Sequence, residues 1–337
     1  MKVEIENIDR VVLLGGGNVL VALAKWCLSQ NMSVSVVTSP RHSSEIVEEE
    51  VSLIEVLESF SINYLVTEDI GSSDAKVFLA DLSQSLCLSL GAAWIFKERV
   101  IEEVFRNRLF NLHGTRLPQN RGGGGFSWQI LMGNRLGFCQ LHLVDAGVDT
   151  GDIVLTREFL YPPSCRLPID YERFHFNQTL DFVVGFISEI RQVGIALQTV
   201  KQSEYLSTYW PRLNTSTNAW IDWSEDVSSL EKFICAFDEP YEGAKSYLDD
   251  QKVYIKDVMV DFSDPHFHLY QAGIVFRKSH SWVSVCANGG TLIVQKIIDE
   301  QGDNLIEKVR VGDRLNTPLS ALDSRTKRVV YTPSGLK

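Results

Sequence analysis

Between Phe110 and Val154 the chain sets an amide, an imidazole and paired carboxylates at the ends of short apolar runs, around glycine-rich turns. Asn111 and His113 alternate along one strand, so both side chains leave the same face, and the strand stops at once in the turn Gly114-Thr115. Their polar ends can therefore converge on one atom. A second apolar run, Cys139 to Val144, feeds the loop Asp145-Ala146-Gly147-Val148-Asp149-Thr150-Gly151-Asp152, whose two glycines permit the left-handed backbone that folds the carboxylates back. Set beside the strand, such a loop brings Asp149 to His113. A satisfied polar network at strand ends would account for any one of these residues, and accounts poorly for Asn111, His113 and Asp149 together beside a glycine loop.

The elements that must position this trio read as alternating strands and helices. Val11 to Leu14 is a buried strand, Gly15-Gly16-Gly17 its turn, Asn18 a helix cap, and Val19 to Leu28 a helix leading to the strand Ser33 to Thr38. Ser43 to Phe60 has helical spacing, Asn63 to Val66 and Leu86 to Ala93 are strand-like, and Lys97 to Phe105 is helical. After the acidic loop come a strand, Ile153 to Leu160, and a long helix from about Asp170 to Val193. This alternation implies an α/β fold with a Rossmann-like, mostly parallel sheet. Around Ser203 to Asn218 the composition turns to Ser, Thr, Tyr, Asn and Pro, as in a linker. Beyond a helix near Ser228 to Phe237, short alternating runs (Lys252 to Ile255, Gly273 to Phe276, Trp282 to Cys286, Thr291 to Ile297) suggest a small β barrel. The expected division is residues 1–204, a linker 205–224, and a C-terminal domain 225–337.

Composition narrows the class. With 337 residues and 45% hydrophobic content the chain can bury a large core, and two domains are expected. No apolar run approaches a membrane span, and Met1 to Arg10 lacks the apolar core of a secretory signal, so residence in the cytoplasm is expected. The six cysteines are scattered without a C-x-x-C pair, which suits reduced, structural thiols. The net charge of -11 falls almost entirely before Ile255, because beyond it eleven Lys and Arg oppose nine Asp and Glu. Phosphate backbones are gripped by clustered Lys and Arg, so this acidic part argues against nucleic-acid binding.

Other motifs carry less. The Gly15-Gly16-Gly17 turn lacks G-x-G-x-x-G spacing, and Thr38-Ser39-Pro40 stands where a ribose-binding acid would follow. His266-x-His268 has one-face strand spacing but no third ligand nearby, so no metal is expected. Glu48-Glu49-Glu50 reads as the solvated face of a helix, and Trp210, Trp220 and Trp223 as packing between the domains, with a base-stacking platform as the lesser alternative.

Taken together, Asn111-x-His113, the turn Thr115-Arg116-Leu117-Pro118, Arg121-Gly122 and Asp145-x-Gly147-x-Asp149-Thr150-Gly151-Asp152 resemble the 10-formyltetrahydrofolate-dependent formyltransferases, whose pattern is N-x-H, an S-L-L-P turn, R-G and D-x-G-x-D-T-G-D at similar spacing. The combination is far more specific than any piece. Gly91 to Ile101 is similar to the family's pterin-pocket loop, Tyr209 to Leu213 with Ile221-Asp222-Trp223 to its interdomain segment, and Pro240 to Ala244 to the entry of its OB-like C-terminal domain. Thr115-Arg116 in place of Ser-Leu, Gly123-Gly124-Gly125 in place of A-A-P, and Lys97 in place of a proline depart from the pattern and leave the trio intact.

The resemblance implies formyl transfer from 10-formyltetrahydrofolate to an amine. Asn111 and His113 would stabilise the oxyanion, and Asp149 would orient His113 and move protons through water. Folate would be held by Trp94, Ile95 and Phe96, by the turn Thr115, Arg116, Leu117 and Pro118, and by Val144, Asp145, Ala146, Gly147 and Asp149. Three amines compete. Glycinamide ribonucleotide fits least, since its enzyme usually lacks the linker and barrel. Between a nucleotide-linked amino deoxysugar for surface polysaccharide and methionyl-tRNA, the near-neutral stretch Gln119 to Asn134, which carries little beyond Arg121, favours the sugar. A homodimer is compatible with this reading, as is a folate or nucleotide sensor that kept the fold without transfer.

Overall fold

Runs of buried Val and Leu make the middle strands of a seven-stranded sheet. The computed structural model describes residues 2–5, 8–48, 50–264 and 266–337. In chain order its main-sheet strands are β1 (Arg10–Gly15), β2 (Ser33–Thr38), β3 (Asn63–Val66), β4 (Ser85–Leu90), β5 (Leu109–His113), β6 (Leu136–Leu143) and β7 (Ile153–Leu160). Their spatial order is β7-β6-β5-β4-β1-β2-β3. The five strands from β5 to β3 are parallel, while β6 runs antiparallel to both β5 and β7. Strand β1 is buried on both faces, as a central parallel strand must be when helices cover it.

Helix α1 (Asn18–Ser29) turns Leu20, Val21, Leu23, Ala24 and Cys27 inward. Gly17, at φ 85°, is its cap, so Asn18 is the first helical residue rather than the cap expected from sequence. Helix α2 (Gly125–Leu131) follows the glycine run, and the 26-residue α3 (Pro168–Val193) lays Phe182, Val183, Phe186 and Ile187 on the sheet face that also carries Leu88, Phe110 and Leu141. The opposite face carries Val12, Leu14, Val37, Cys87 and Leu109. On that face the apolar surface gives way to a polar row, because Ser89, Asn111 and His142 are direct neighbours across β4, β5 and β6.

The reading of Ser43 to Phe60 as one helix is overturned. Pro40–Ser43 is a single helical turn, Ile46–Glu48 and Val51–Ser52 form a hairpin, and only Leu53–Ser59 is helical. The capping box between Ser52 and Glu55 starts that helix, and β-branched Ile46, Val47 and Val51 favour the extended backbone before it. Glu48 and Glu50 accordingly sit on a hairpin rather than a helix face, and Glu49 lies outside the described residues.

The segment read as a linker is ordered. Tyr209–Trp210 adds in parallel to Arg121–Gly122, and Thr215–Asn218 forms a helical turn. Helix α4 (Val227–Ala236), capped by Asp226, then leads to strands β8 (Ala244–Leu248), β9 (Gln251–Asp261), β10 (Val275–Lys278), β11 (Val283–Ala287), β12 (Gly290–Ile298) and β13 (Leu315–Asn316). They form one antiparallel sheet, β10-β11-β12-β9-β8-β13, curled so that Ile274 bridges to Arg314 from the opposite edge. This bears out the α/β fold with a small barrel-like C-terminal domain. The barrel's apolar interior is continuous with Ile130, Tyr161 and Tyr171 of the preceding part. The three tryptophans pack differently: Trp210 stacks on Trp128 of α2, Trp220 stacks on Tyr247 of β8, and buried Trp223 donates to Ser246. Among the described residues no helix is long and apolar enough to cross a membrane.

Candidate active site

A cleft of about 310 Å³ opens over the polar row, lined by Asn111, His113, His142, Val144, Asp145 and Gly147 to Asp149. Its rim is Gly91 to Phe96 on one side and Tyr209, Arg212 and the chain-terminal stretch Arg328 to Tyr331 on the other. The alternation that puts Asn111 and His113 on one face of β5 therefore aims both into it.

Asp149 is the hub. Its backbone sits at φ 54°, which turns the carboxylate back over the strand ends. One oxygen accepts the Gly122 N–H at 2.9 Å; the other lies 3.4 Å from the Asn111 amide nitrogen, 3.5 Å from His142 Nε2 and 3.7 Å from His113 Nδ1. Behind it the Gln202 amide donates to the carbonyls of Asp149 at 2.9 Å and Gly151 at 2.7 Å, and Arg121 Nε donates to Gln202 Oε1 at 3.1 Å. Arg121 in turn pairs with Glu204. The arginine and glycine of the R-G pair thus hold one loop from two directions. Gly151 admits no side chain, since a Cβ there would stand 1.8 Å from the Leu143 carbonyl oxygen.

His113 is held from the side away from Asp149. Its Nε2 lies 2.8 Å from the Asn120 carbonyl and 2.7 Å from Thr115 Oγ1, whose hydroxyl donates to the same carbonyl. A carbonyl accepts only, so the proton of neutral His113 resides on Nε2 and Nδ1 presents a lone pair toward Asp149. At 3.7 Å that pair is too long for a direct hydrogen bond. Burial pushes the His113 pKa down from its ordinary value; Asp149 opposes this and His142 adds to it, leaving a neutral imidazole. For Asp149, burial works upward but is outweighed by His113, His142 and the Gly122 N–H, which bring its pKa down to about 2. Behind His113, buried His175 contacts the Tyr161 hydroxyl at 2.7 Å and is brought down to about 4 by burial and then by His113.

His142 was not anticipated. Its Nδ1–H donates to the Leu143 carbonyl at 2.8 Å, so Nε2 accepts from the Asn111 amide at 3.0 Å. This fixes the rotamer of Asn111, whose second amide hydrogen is directed at Asp149 Oδ1 in a long contact of 3.4 Å. The available signal was its alternation with Gln140 along β6, which gains meaning only once Asn111 is known to be its cross-strand partner.

The residues assigned to folate separate into two groups. Trp94, Ile95, Phe96, Val144, Asp145, Gly147 and Asp149 line the cleft. The Trp94 and Phe96 side chains anchor in the apolar cluster below, and Trp94 Nε1 donates to the Glu68 carbonyl at 3.2 Å, while Ile95 is 71% exposed at the rim. Among the described residues the backbone N–H groups of Trp94, Ile95 and Phe96 have no protein partner. Thr115, Arg116, Leu117, Pro118 and Ala146 do not line the cleft. Thr115 is spent on His113, Leu117 is buried with its N–H on Gln140, and Arg116 lies over Phe138. The described residues hold no cluster of His, Cys, Asp and Glu able to take a metal.

Residues 214–307 match a family model described as the formyl transferase C-terminal domain. The cytosolic 10-formyltetrahydrofolate dehydrogenase of Xenopus tropicalis is 30% identical over 142 residues, which is 42% of this chain and 15% of that protein. The methionyl-tRNA formyltransferase of Clostridium novyi is 27% identical over 197 residues, 58% of this chain and 60% of that protein. The chain thus spans less than two thirds of the length of these relatives. The crystal structure of an N-formyltransferase from Helicobacter canadensis, in complex with folinic acid and dTDP-3-aminofucose, superposes with a TM-score of 0.62 at 18% identity, covering 86% of this chain and 99% of that one, which establishes the shared fold.

Proposed function

We propose that this chain, a formyltransferase by its matched C-terminal domain and its fold, moves a formyl group from 10-formyltetrahydrofolate to the amine of a nucleotide-linked amino deoxysugar. The observation that carries the reading is the convergence of Asn111, His113 and Asp149 in one cleft beside unpaired backbone donors. Those donors at Trp94 to Phe96, with the apolar edges of Ile95, Val144 and Val148, suit a flat heterocycle with an amide-like rim. The bound folate would supply a formyl carbon open to attack by an amine.

Chain residues divide the remaining work. Asn111, held by His142, turns the amide hydrogen of its long 3.4 Å contact with Asp149 to the oxygen that gains charge during attack. His113, neutral with its lone pair at Nδ1, accepts the amine proton, and the Asp149 carboxylate stabilises the imidazolium that forms. Nδ1 then carries the proton to be returned to the departing nitrogen. This revises the sequence reading, which gave His113 an oxyanion role.

The test is to incubate the full chain with 10-formyltetrahydrofolate and dTDP-linked 3-amino and 4-amino dideoxysugars, following formamide formation by mass spectrometry. Formylated sugar, lost when Asn111, His113 or Asp149 becomes Ala, supports the reading. Near wild-type rates in all three variants refute the roles. The partial likeness to methionyl-tRNA formyltransferase makes methionyl-tRNA the competing acceptor, and exclusive turnover of it would reverse the substrate assignment. An N-formylated sugar of this kind would serve surface polysaccharide synthesis in the cytoplasm.

A further inference from the structure

The stretch that follows the barrel is held unlike the rest of the chain. From Asn316 to Lys337 every residue is exposed or half-buried, so no side chain of it is sunk in the core. Its first part is pinned all the same. A short helix, Leu319–Arg325, ends where buried Asn218 donates its amide to the carbonyls of Arg325 at 2.7 Å and Lys327 at 3.1 Å. The Arg325 guanidinium donates in turn to the Trp220 carbonyl at 3.1 Å and to Glu225 at 3.0 Å.

Beyond Lys327 the character changes. Residues 328–337 leave that anchor, line the cleft with Arg328 to Tyr331, and fold into a hairpin that pairs Tyr331–Thr332 with Gly335–Leu336. On the linker side the Asn214 amide donates to the Tyr331 hydroxyl at 3.1 Å. On the opposite side the Pro333 carbonyl accepts the Arg41 N–H at 2.9 Å, and the Ser334 hydroxyl donates to the Glu68 carboxylate at 2.6 Å. Glu68 is itself tied to the rim, because its carbonyl receives the Trp94 indole N–H. These residues therefore reach from one wall of the cleft to the other, fixed at the base by a buried amide and at the tip by surface hydrogen bonds. Exposed hydrogen bonds without buried apolar contacts open at low cost in a native protein. Arg41 and Arg212 both lie over the Tyr331 ring at 5.7 Å, and the repulsion between two guanidinium groups on one ring weakens the hold further.

We propose that residues 328–337 are a swinging arm, hinged at Asn218, that lets go of Arg41 and Glu68 to admit folate and closes over the cleft once folate is seated. The proposal rests on the reading of the cleft as the folate site and adds how that site is gated. Closed, the arm shields the reacting atoms from bulk water and joins the wall that carries Asn214 to the wall that carries Trp94. Open, it frees the mouth for exchange of spent for fresh donor.

Amide hydrogen exchange and a covalent lock, both on the full chain, test it. The Arg41 N–H sits in the first turn of Pro40–Ser43, where no intrahelical acceptor exists, so among the described residues its partner is the Pro333 carbonyl and its exchange reports the arm. That amide is expected to exchange about tenfold more slowly with 5-formyltetrahydrofolate bound, and faster than wild type in unliganded Ser334→Ala. Glu68→Cys combined with Ser334→Cys and joined by a short bis-maleimide should slow both association and release of 5-formyltetrahydrofolate about tenfold, while each single variant given the same reagent stays within about threefold of wild type. Unchanged folate rates in the joined protein overturn the proposal, as does Arg41 exchange that folate leaves alone. The two readings fail separately: normal formylation by a chain whose arm ignores both lock and ligand sinks the arm alone, whereas an arm that folate closes in a chain that formylates no amine sinks the transfer reading alone. A chain that binds no 5-formyltetrahydrofolate removes both.

Discussion

The two walls of the cleft are built on opposite principles. In the wall formed by β5, β6 and the acidic loop the groups nearest the chemistry are buried or half-buried, and each is held by another: Asn111 by His142, His113 by Asn120 and Thr115, Asp149 by Gly122. The facing wall, from Arg212 to Tyr331, is made of exposed and half-buried residues on the linker and chain-terminal stretch, and Arg212 lies over the Tyr331 ring rather than on a carboxylate. Groups that must act on a reacting atom tolerate little displacement, so they belong on a sheet and in a hydrogen-bonded network. Groups that recognise a charged, variable ligand gain from standing free. The first wall should therefore govern kcat and the second KM.

That division is open to attack in order of expected effect. His113→Ala should lower kcat by about 10²–10⁴ while folate and nucleotide affinities stay within a few-fold, as read from single-turnover rates and calorimetry. A loss confined to KM would dissolve the contrast between the walls. Gly151→Ala should come next, because the added methyl collides with the Leu143 carbonyl and displaces the loop behind Asp149; a stability loss of about 1–3 kcal/mol on chemical denaturation should accompany a severe loss of rate. Gln202→Ala frees the carbonyls of Asp149 and Gly151 and should cost roughly tenfold in kcat without altering KM, a smaller effect because it reaches the chemistry through one carboxylate.

The pH profile sharpens the same point. In the proposed mechanism His113 must be neutral to accept a proton, and burial lowers its pKa below the ordinary 6.5. As pH falls, the imidazolium replaces the lone pair and kcat/KM declines, with the midpoint of that acid limb expected below 6.5. Asp149, at about 2, remains anionic across the range and adds no second limb. A midpoint above 6.5 would mean that His113 works as an imidazolium. The smallest effect is expected outside the cleft, in a neighbouring cavity, where Lys232→Ala should raise KM for the proposed nucleotide sugar less than threefold and leave kcat alone.

Much of this arrangement could be read before the fold was known, where local rules dominate. The apolar run Val11 to Leu14 became a central strand, as did Leu86 to Ala93 as far as Leu90, and the alternation of Asn111 and His113 placed both on one face. What stayed hidden depends on register or on distant packing. His142 acts through Asn111, 31 positions away and visible only as a cross-strand neighbour. Gln202 reaches Asp149 across 53 positions, and Arg328 to Tyr331 arrive from the far end of the chain to line the cleft. Within Ser43 to Phe60, helical spacing of apolar residues outweighed the β-branched run Ile46-Val47 and the Ser52 cap, and only the latter part proved helical.

One feature of the interior bears on how the molecule comes apart. Ile130, Tyr161 and Tyr171 share a single apolar cluster with the barrel strands, so neither half can be exposed to water without stripping the other. Heating should accordingly produce one cooperative transition, and a fragment cut at the linker should lose solubility instead of surviving as an independent module.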